Sequence, residues 1–199
     1  MTDEKPQRSM MSLMLVLLLF GAPTFGALFL VMNPEYLPDS TKNNGELIQQ
    51  VALPKSDFKT IDNSAFSVEE ISGNWALLTF IGNNCDQSCA KTLYNVRQVR
   101  KTTANSRKYV SRIAMLTDDQ VEASLTDELL SEHKGLFFIR NDKNVQHVIT
   151  GLNETPESIK QKVYLVDPRN NIMMSYTADQ PPEDIIKDFE LLLKAFPVN

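Results

Sequence analysis

The sequence predicts an α/β domain built on a mixed sheet, carried behind a single N-terminal membrane-spanning helix. Three observations lead there: one long uncharged apolar run, short apolar runs alternating with helical periodicity, and two strand-like segments joined by a turn near the C-terminus.

The apolar run, Met10 to Met32, reads MMSLMLVLLLFGAPTFGALFLVM. As a helix rising about 1.5 Å per residue it reaches roughly 34 Å, enough for the ~30 Å hydrocarbon layer. A cleaved signal needs a shorter apolar core and a small-x-small site. Here the run continues past Gly21-Ala22-Pro23 to Val31, without a clean Ala-x-Ala or a cysteine to take a lipid. An uncleaved anchor is expected, and membrane helices tolerate a proline such as Pro23. Lys5 and Arg8 precede the run, whereas only Lys42 follows it closely. Basic residues favour the cytoplasmic side, which places residues 1–9 in the cytoplasm, 10–32 across the membrane and the main domain outside, in an oxidising compartment such as the periplasm beyond a bacterial inner membrane. Thiol pairs oxidise in that compartment. Residues 33–45 (NPEYLPDSTKNNG) have the Pro/Asn/Asp/Ser content of a tether, leaving residues 46–199 as one domain.

Within that domain, Trp75–Gly82 (WALLTFIG) is a nearly continuous apolar run, as in a central strand covered on both faces. After Asn83-Asn84, the stretch opened by Cys85-Asp86-Gln87-Ser88-Cys89 has helical spacing, with Leu93, Val96 and Val99 on one face. Tyr109–Leu116 reads as a second strand, Asp118–Glu132 as an acidic helix, Leu136–Ile139 as a third strand and Asn144–Ile149 as a short helix. Val163–Val166 and Ile172–Tyr176 are strands joined by the hairpin turn Asp167-Pro-Arg-Asn-Asn171. A last helix takes Pro181 and Pro182 into its first turn, with Glu183 and Asp184 there and Lys194 near its end, as the helix dipole favours. Its core stripe is Ile185, Phe189, Leu192, Leu193 and Phe196.

Composition removes several functions. Lys and Arg number 20 against 25 Asp and Glu, a net charge of −5, so the electrostatic footprint of a nucleic-acid binder is missing. Two cysteines and two histidines cannot build a disulfide-rich scaffold or a four-thiolate zinc site.

The chemistry therefore concentrates on Cys85 and Cys89, at the turn from the central strand into a helix. Helix N-terminal N–H groups and the positive end of the dipole stabilise a thiolate there. Four residues of helix advance about 6 Å, within the roughly 4.4–6.8 Å that a disulfide spans. Closing so small a loop removes little unfolded-state entropy, a weak reason for a purely structural bridge. Asp86 works the other way, since a neighbouring carboxylate raises a thiol pKa. An inert buried pair or a passive bridge suits the spacing as well.

The segment Trp75-ALLTFIGNNCDQSCAKTL-Tyr94 resembles the active-site region of the SCO/SenC family, in which a W-x-L-x-x-F strand leads into C-x-x-x-C. Tyr164-LVDPRNNIMMSYTADQPPEDIIKDFELLLKA-Phe196 is similar to that family's closing hairpin and helix. The resemblance implies a thioredoxin-like fold for residues 46–199 and a role in assembling the copper centre of a cytochrome c oxidase. Members that carry copper bind it through both cysteines and a histidine about five residues before the Tyr-Leu strand; Ile159 stands there, and no histidine occurs from Asn153 to Val163. Asp86 and Ala90 also replace the proline that usually follows each cysteine. Copper(I) held by Cys85 and Cys89 alone stays open, since it favours thiolates. Dithiol–disulfide exchange needs only the pair.

The remaining candidates are weaker. His147 is the one substitute ligand and reads as a helical surface residue; His133, in Ser-Glu-His-Lys, reads as solvated. Of Met173 and Met174 one should face the core. Arg97, Arg100, Lys101, Arg107, Lys108 and Arg112 read as a solvated face that could dock an acidic partner. A thiol peroxidase is disfavoured, because Gly82 stands where its Thr would precede Cys85 and no proline falls between Ala76 and Asn84. The expectation is thus a membrane-anchored thiol–disulfide oxidoreductase in oxidase assembly, with Cys85 attacking and Cys89 resolving. An oxidase subunit or another periplasmic thiol or copper protein would be its partner. The alternatives are a copper(I) chaperone using the same cysteines and a non-catalytic assembly scaffold.

Overall fold

The computed structural model describes residues 10–33, 36, 43–103, 109–119, 127 and 131–195. The chain divides into two compact units, Met1–Thr41 and Lys42–Asn199. In the first, α1 (Met10–Met32) takes up the whole apolar run; none of its residues is buried, and it is long and apolar enough to cross a membrane. Beside Pro23, the Thr24 hydroxyl donates to the Phe20 carbonyl one turn back at 2.9 Å. Lys5, Arg8 and Lys42, on which the expected orientation rests, lie outside the described residues.

The second unit is organised by a six-stranded sheet in the order β1-β8-β7-β4-β5-β6. Its strands are β1 (Glu46–Ala52), β4 (Trp75–Ile81), β5 (Val110–Leu116), β6 (Phe137–Ile139), β7 (Lys162–Val166) and β8 (Asn171–Thr177). A small hairpin, β2 (Phe58–Lys59) with β3 (Ala65–Phe66), precedes a 3-10 turn, Val68–Glu70, closed by a Ser67–Glu70 capping box. All seven residues of β4 are buried. It pairs in parallel with β5 and antiparallel with β7, and β7 with β8 is the expected antiparallel hairpin. The sheet is mixed and flanked by helices, as the alternation of elements implied.

Helices α2 (Gln87–Thr102) and α5 (Pro182–Ala195) cover one face, where Trp75, Leu77, Val96, Val99, Leu165 and Phe189 interlock. On the other face Ala76, Leu78, Phe80, Ile113 and Tyr164 pack against α3 (Lys143–Leu152), α4 (Pro156–Lys160) and the β2–β3 hairpin. The opposite-face grouping follows from the two-residue period of strands.

Several elements depart from the sequence reading. The helix expected over Asn144–Ile149 is longer: Asp142 caps its start by accepting from the Asn144 and Val145 N–H groups, and Asn153 ends it at φ 53°. The last helix begins at Pro182, with Pro181 just ahead of it, and Phe196 lies outside the described residues. Most of the expected acidic helix, residues 120–126 and 128–130, also lies outside them, as do Arg107 and Lys108. Strand β1, the β2–β3 hairpin and α4 carry too few residues or too weak an alternation to be read locally; β1 is a largely exposed edge strand.

Two corrections concern charge. His133 is 8% exposed rather than solvated, and Arg112 is 3% exposed rather than part of a solvated face. Arg112 occupies an inward position of β5, between Val110 and Ala114, so strand alternation drives it under α2. His147, in contrast, is exposed on α3, and Met174 is buried while Met173 is only partly so, as expected.

The start of the folded unit is tied down by a buried carboxylate. Asp188 of α5, 1% exposed, accepts from the Asn44 and Gly45 backbone N–H groups, the Asn44 side-chain amide and the Tyr176 hydroxyl at 2.8–3.1 Å. A Cβ on Gly45 would lie 2.6 Å from the Tyr176 ring and 2.7 Å from the Met174 sulfur, so only glycine lets the main chain approach this closely.

Candidate functional site

At the carboxyl end of β4 the chain leaves the sheet through Gly82, Asn83 and Asn84 and enters α2. In open α/β sheets that end is where ligands and reactive groups gather. The turn is held to the end of β5. Thr117 N–H donates to the Ile81 carbonyl at 2.9 Å, and Asn83 N–H donates to Asp118 Oδ2 at 2.9 Å. Thr117 Oγ1 also donates to Asp118 Oδ2, at 3.0 Å. A Cβ at Gly82 would lie 3.2 Å from Asp118 Oδ2 and 3.5 Å from Lys160 Nζ, which places both side chains against this turn.

Cys85 and Cys89 are joined in a disulfide, with Cα atoms 5.1 Å apart. Both are half-buried, resting on Ile61, Leu93, Leu116, Leu136 and Phe138. The sulfurs thus have an apolar floor and an open rim, consistent with the spacing argument: one helical turn suits a disulfide without rearrangement. Asp86, the concern raised by the sequence, has a definite job. It is the N-cap of α2, its carboxylate accepting the Cys89 N–H at 2.9 Å. It therefore takes up a helix N-terminal donor that could otherwise stabilise a thiolate, besides placing a negative charge next to Cys85.

Ile159 is fully buried in α4, packed in the cluster containing Phe80, Ile113 and Tyr164, whereas the sulfurs rest on the separate cluster on the α2 side. The structure does not bring this position together with the cysteines. The next residue, Lys160, faces the turn before Cys85 instead, 4.0 Å from Asp118. Asp118, Lys160 and the capping role of Asp86 escaped sequence reasoning; only Asp86 carried a signal, as an Asp immediately ahead of a helical periodicity.

A cleft of about 530 Å3 opens beside the first turn of α2, lined by Ser88, Lys91, Ser158, Gln161, Lys162 and Asp179. Behind it Glu154 accepts from Lys162 Nζ at 2.8 Å, Ser158 Oγ at 2.7 Å and the Tyr164 hydroxyl at 3.3 Å. Burial pushes the Glu154 carboxyl up, but those three partners outweigh it and hold the group below its ordinary range. Burial, and then the Glu154 charge, push the Tyr164 phenol well above its ordinary value.

A third protein ligand is missing: Ile159 offers no donor atom, and among the described residues no group of three or more His, Cys, Asp or Glu could hold a metal. The residues present do not fit a three-ligand copper centre.

A two-cysteine turn at the head of α2, at the end of a central strand in a mixed sheet flanked by helices, places the domain in the thioredoxin-like fold class. A family model described as the C-terminal domain of transmembrane-like, thioredoxin-like proteins matches residues 75–195, and the chain belongs to that family. The sequence matches no curated protein. Among solved structures, it is similar to a SCO1/SenC family lipoprotein from Bacillus anthracis, at 18% identity and a TM-score of 0.55, covering 74% of this chain and 99% of that one. Arabidopsis thaliana ScoI with copper bound is 14% identical with a TM-score of 0.61, covering 73% and 100%. The thioredoxin domain of a thiol-disulfide oxidoreductase from Bacteroides vulgatus is 16% identical with a TM-score of 0.54, covering 77% and 100%. The expected SCO/SenC resemblance is thus met in the fold, which is thioredoxin-like.

Proposed function

We propose that this protein is a membrane-anchored dithiol–disulfide exchange factor acting in the assembly of the cytochrome c oxidase copper centre. In this reading residues 1–9 lie in the cytoplasm, 10–32 cross the inner membrane of a bacterium, 33–45 form a tether whose last two residues, Asn44 and Gly45, are already held by Asp188 of the folded unit, and 46–199 work in the periplasm. The observation that carries it is the Cys85–Cys89 bond at a half-exposed strand–helix turn, in a chain whose third-ligand position is a core isoleucine.

The chemistry needs only the two sulfurs. In the reduced protein the Cys85 thiolate attacks a substrate disulfide, forming a mixed disulfide and expelling one substrate thiolate. The Cys89 thiolate then attacks the Cys85 sulfur, restoring the Cys85–Cys89 bond and releasing the second substrate thiol. Two electrons and two protons pass to the substrate, an oxidase subunit or another periplasmic thiol or copper protein. The cleft at Ser88 and Lys91 gives the substrate polypeptide a polar surface beside that turn.

The test is a redox titration of the full chain in detergent, with exchange measured against a disulfide-bonded peptide. Cys85→Ser should abolish exchange, and Cys89→Ser should accumulate the mixed disulfide. Full exchange by Cys85→Ser would remove the assignment. A second reading, favoured by the copper-bound neighbours, makes the reduced pair a copper(I) carrier; tight one-to-one copper binding that needs both cysteines would select it. If replacing both cysteines leaves oxidase maturation intact, the protein is a non-catalytic assembly scaffold.

A further inference from the structure

Among the described residues six buried side-chain nitrogen or oxygen atoms lack a hydrogen-bond partner, and three of them belong to just two neighbouring residues, Arg112 and His133. Arg112, 3% exposed, donates from Nη2 to the Lys134 carbonyl at 2.8 Å, but its Nε and Nη1 are buried without an acceptor. His133, 8% exposed, has no partner at Nδ1. A guanidinium carries only donors, and buried donors are almost always satisfied. Leaving them empty beside a buried charge is among the most costly arrangements a fold can hold.

Among the described residues the charged neighbours acting on Arg112 are cations. Arg100 reaches over from α2, its Nε donating to the Val110 carbonyl at 2.8 Å. A Cβ at Gly135 would lie 3.7 Å from Arg100 Nη1 and 3.9 Å from Arg112 Nη2, so both guanidinium groups converge on one stretch of main chain. Arg97 is also close enough to act on both Arg112 and His133. Burial, then Arg100 and Arg97, lower the Arg112 pKa only to about 10, so its proton stays on at neutral pH. Among the described residues the carboxylate acting on His133 is Glu132, which is exposed, and no ion pair reaches Arg97, Arg100 or Arg112.

We propose that Arg112, Arg100, Arg97 and His133 form a binding site for a phosphate-class oxyanion, between the C-terminal half of α2 and the β5–β6 edge of the sheet. Such an ion offers several acceptor oxygens and a multiple negative charge, matching the free donors on Arg112 and the paired guanidinium groups. Its source is either free phosphate or the phosphate of a lipid headgroup.

The full chain in a phosphate-free, uncharged detergent should show a saturable rise in melting temperature with inorganic phosphate, relative to chloride at equal ionic strength. Arg112→Met, a change of similar volume that removes the buried charge, should abolish the phosphate dependence. Arg100→Gln, on the helix and only half-buried, leaves the core intact and should weaken phosphate binding about ten-fold, the scale of one charge-assisted hydrogen bond. In nanodiscs without free phosphate, protection by an anionic phospholipid that Arg100→Gln removes would identify the headgroup as the source; protection by phosphate alone would identify the free ion. No phosphate-specific stabilisation in either setting, or stabilisation equal in wild type and both variants, overturns the site.

Discussion

Two carboxylates on neighbouring helices show how burial divides labour in this domain. Asp86 stands half in solvent at the head of α2 and accepts the Cys89 N–H; Asp188 is sealed within α5 and is held by four donors from Asn44, Gly45 and Tyr176. The exposed one can change its surroundings at little structural cost, and it sits beside the sulfurs, where a charge alters reactivity. The buried one joins the first residues of the folded unit to β8 and the last helix, where removing it strands several donors at once. A polar group satisfied many times over fixes the fold, while one satisfied once tunes chemistry.

The largest expected effect tests the chemical side of this contrast. Cys85→Ser should reduce disulfide exchange to background while moving the melting temperature little, because the bond closes only one helical turn. Next, Asp188→Ala should cost on the order of 3 kcal/mol, since it leaves buried N–H and O–H donors unpaired. For a domain of this size that lowers the melting temperature by roughly 6–12 °C. A loss comparable to that of an exposed substitution would contradict the anchoring role.

Asp86→Ala should cost about 1 kcal/mol, the usual value of an N-cap. In the reduced protein it should also lower the Cys85 thiol pKa, read as faster iodoacetamide alkylation at neutral pH; unchanged or slower alkylation would show that the carboxylate does not act on the sulfur. The smallest effect is a pH dependence away from both carboxylates. Burial, partly opposed by Glu132, holds the His133 pKa below 6.5. Below that value the unfolded chain binds a proton that the folded one refuses, so stability should fall as pH drops from about 6.5 toward the lowered folded value. His133→Asn should flatten the stability curve over that window.

Much of this was legible in the chain itself. The uncharged run is α1, Trp75–Ile81 is the central strand, and Leu93, Val96 and Val99 form the buried face of α2. These are local signals: one continuous apolar stretch, one covered strand, one helical stripe. The cysteine pair was legible for the same reason, as both residues sit on one helical turn. Strand β1 and helix α4 were not, because an edge strand and a five-residue helix have too little periodicity of their own.

Sequence alone thus determined the long apolar helix α1, the order of the main elements and the meeting of the two sulfurs, all consequences of interactions within a few residues. Tertiary structure alone decided that Arg112 and His133 are buried and that Ile159 belongs to the core on the far face. It likewise set Asp118 and Lys160 against the turn before Cys85. Burial and charge pairing depend on which distant segments the sheet order brings alongside, and no local pattern records that.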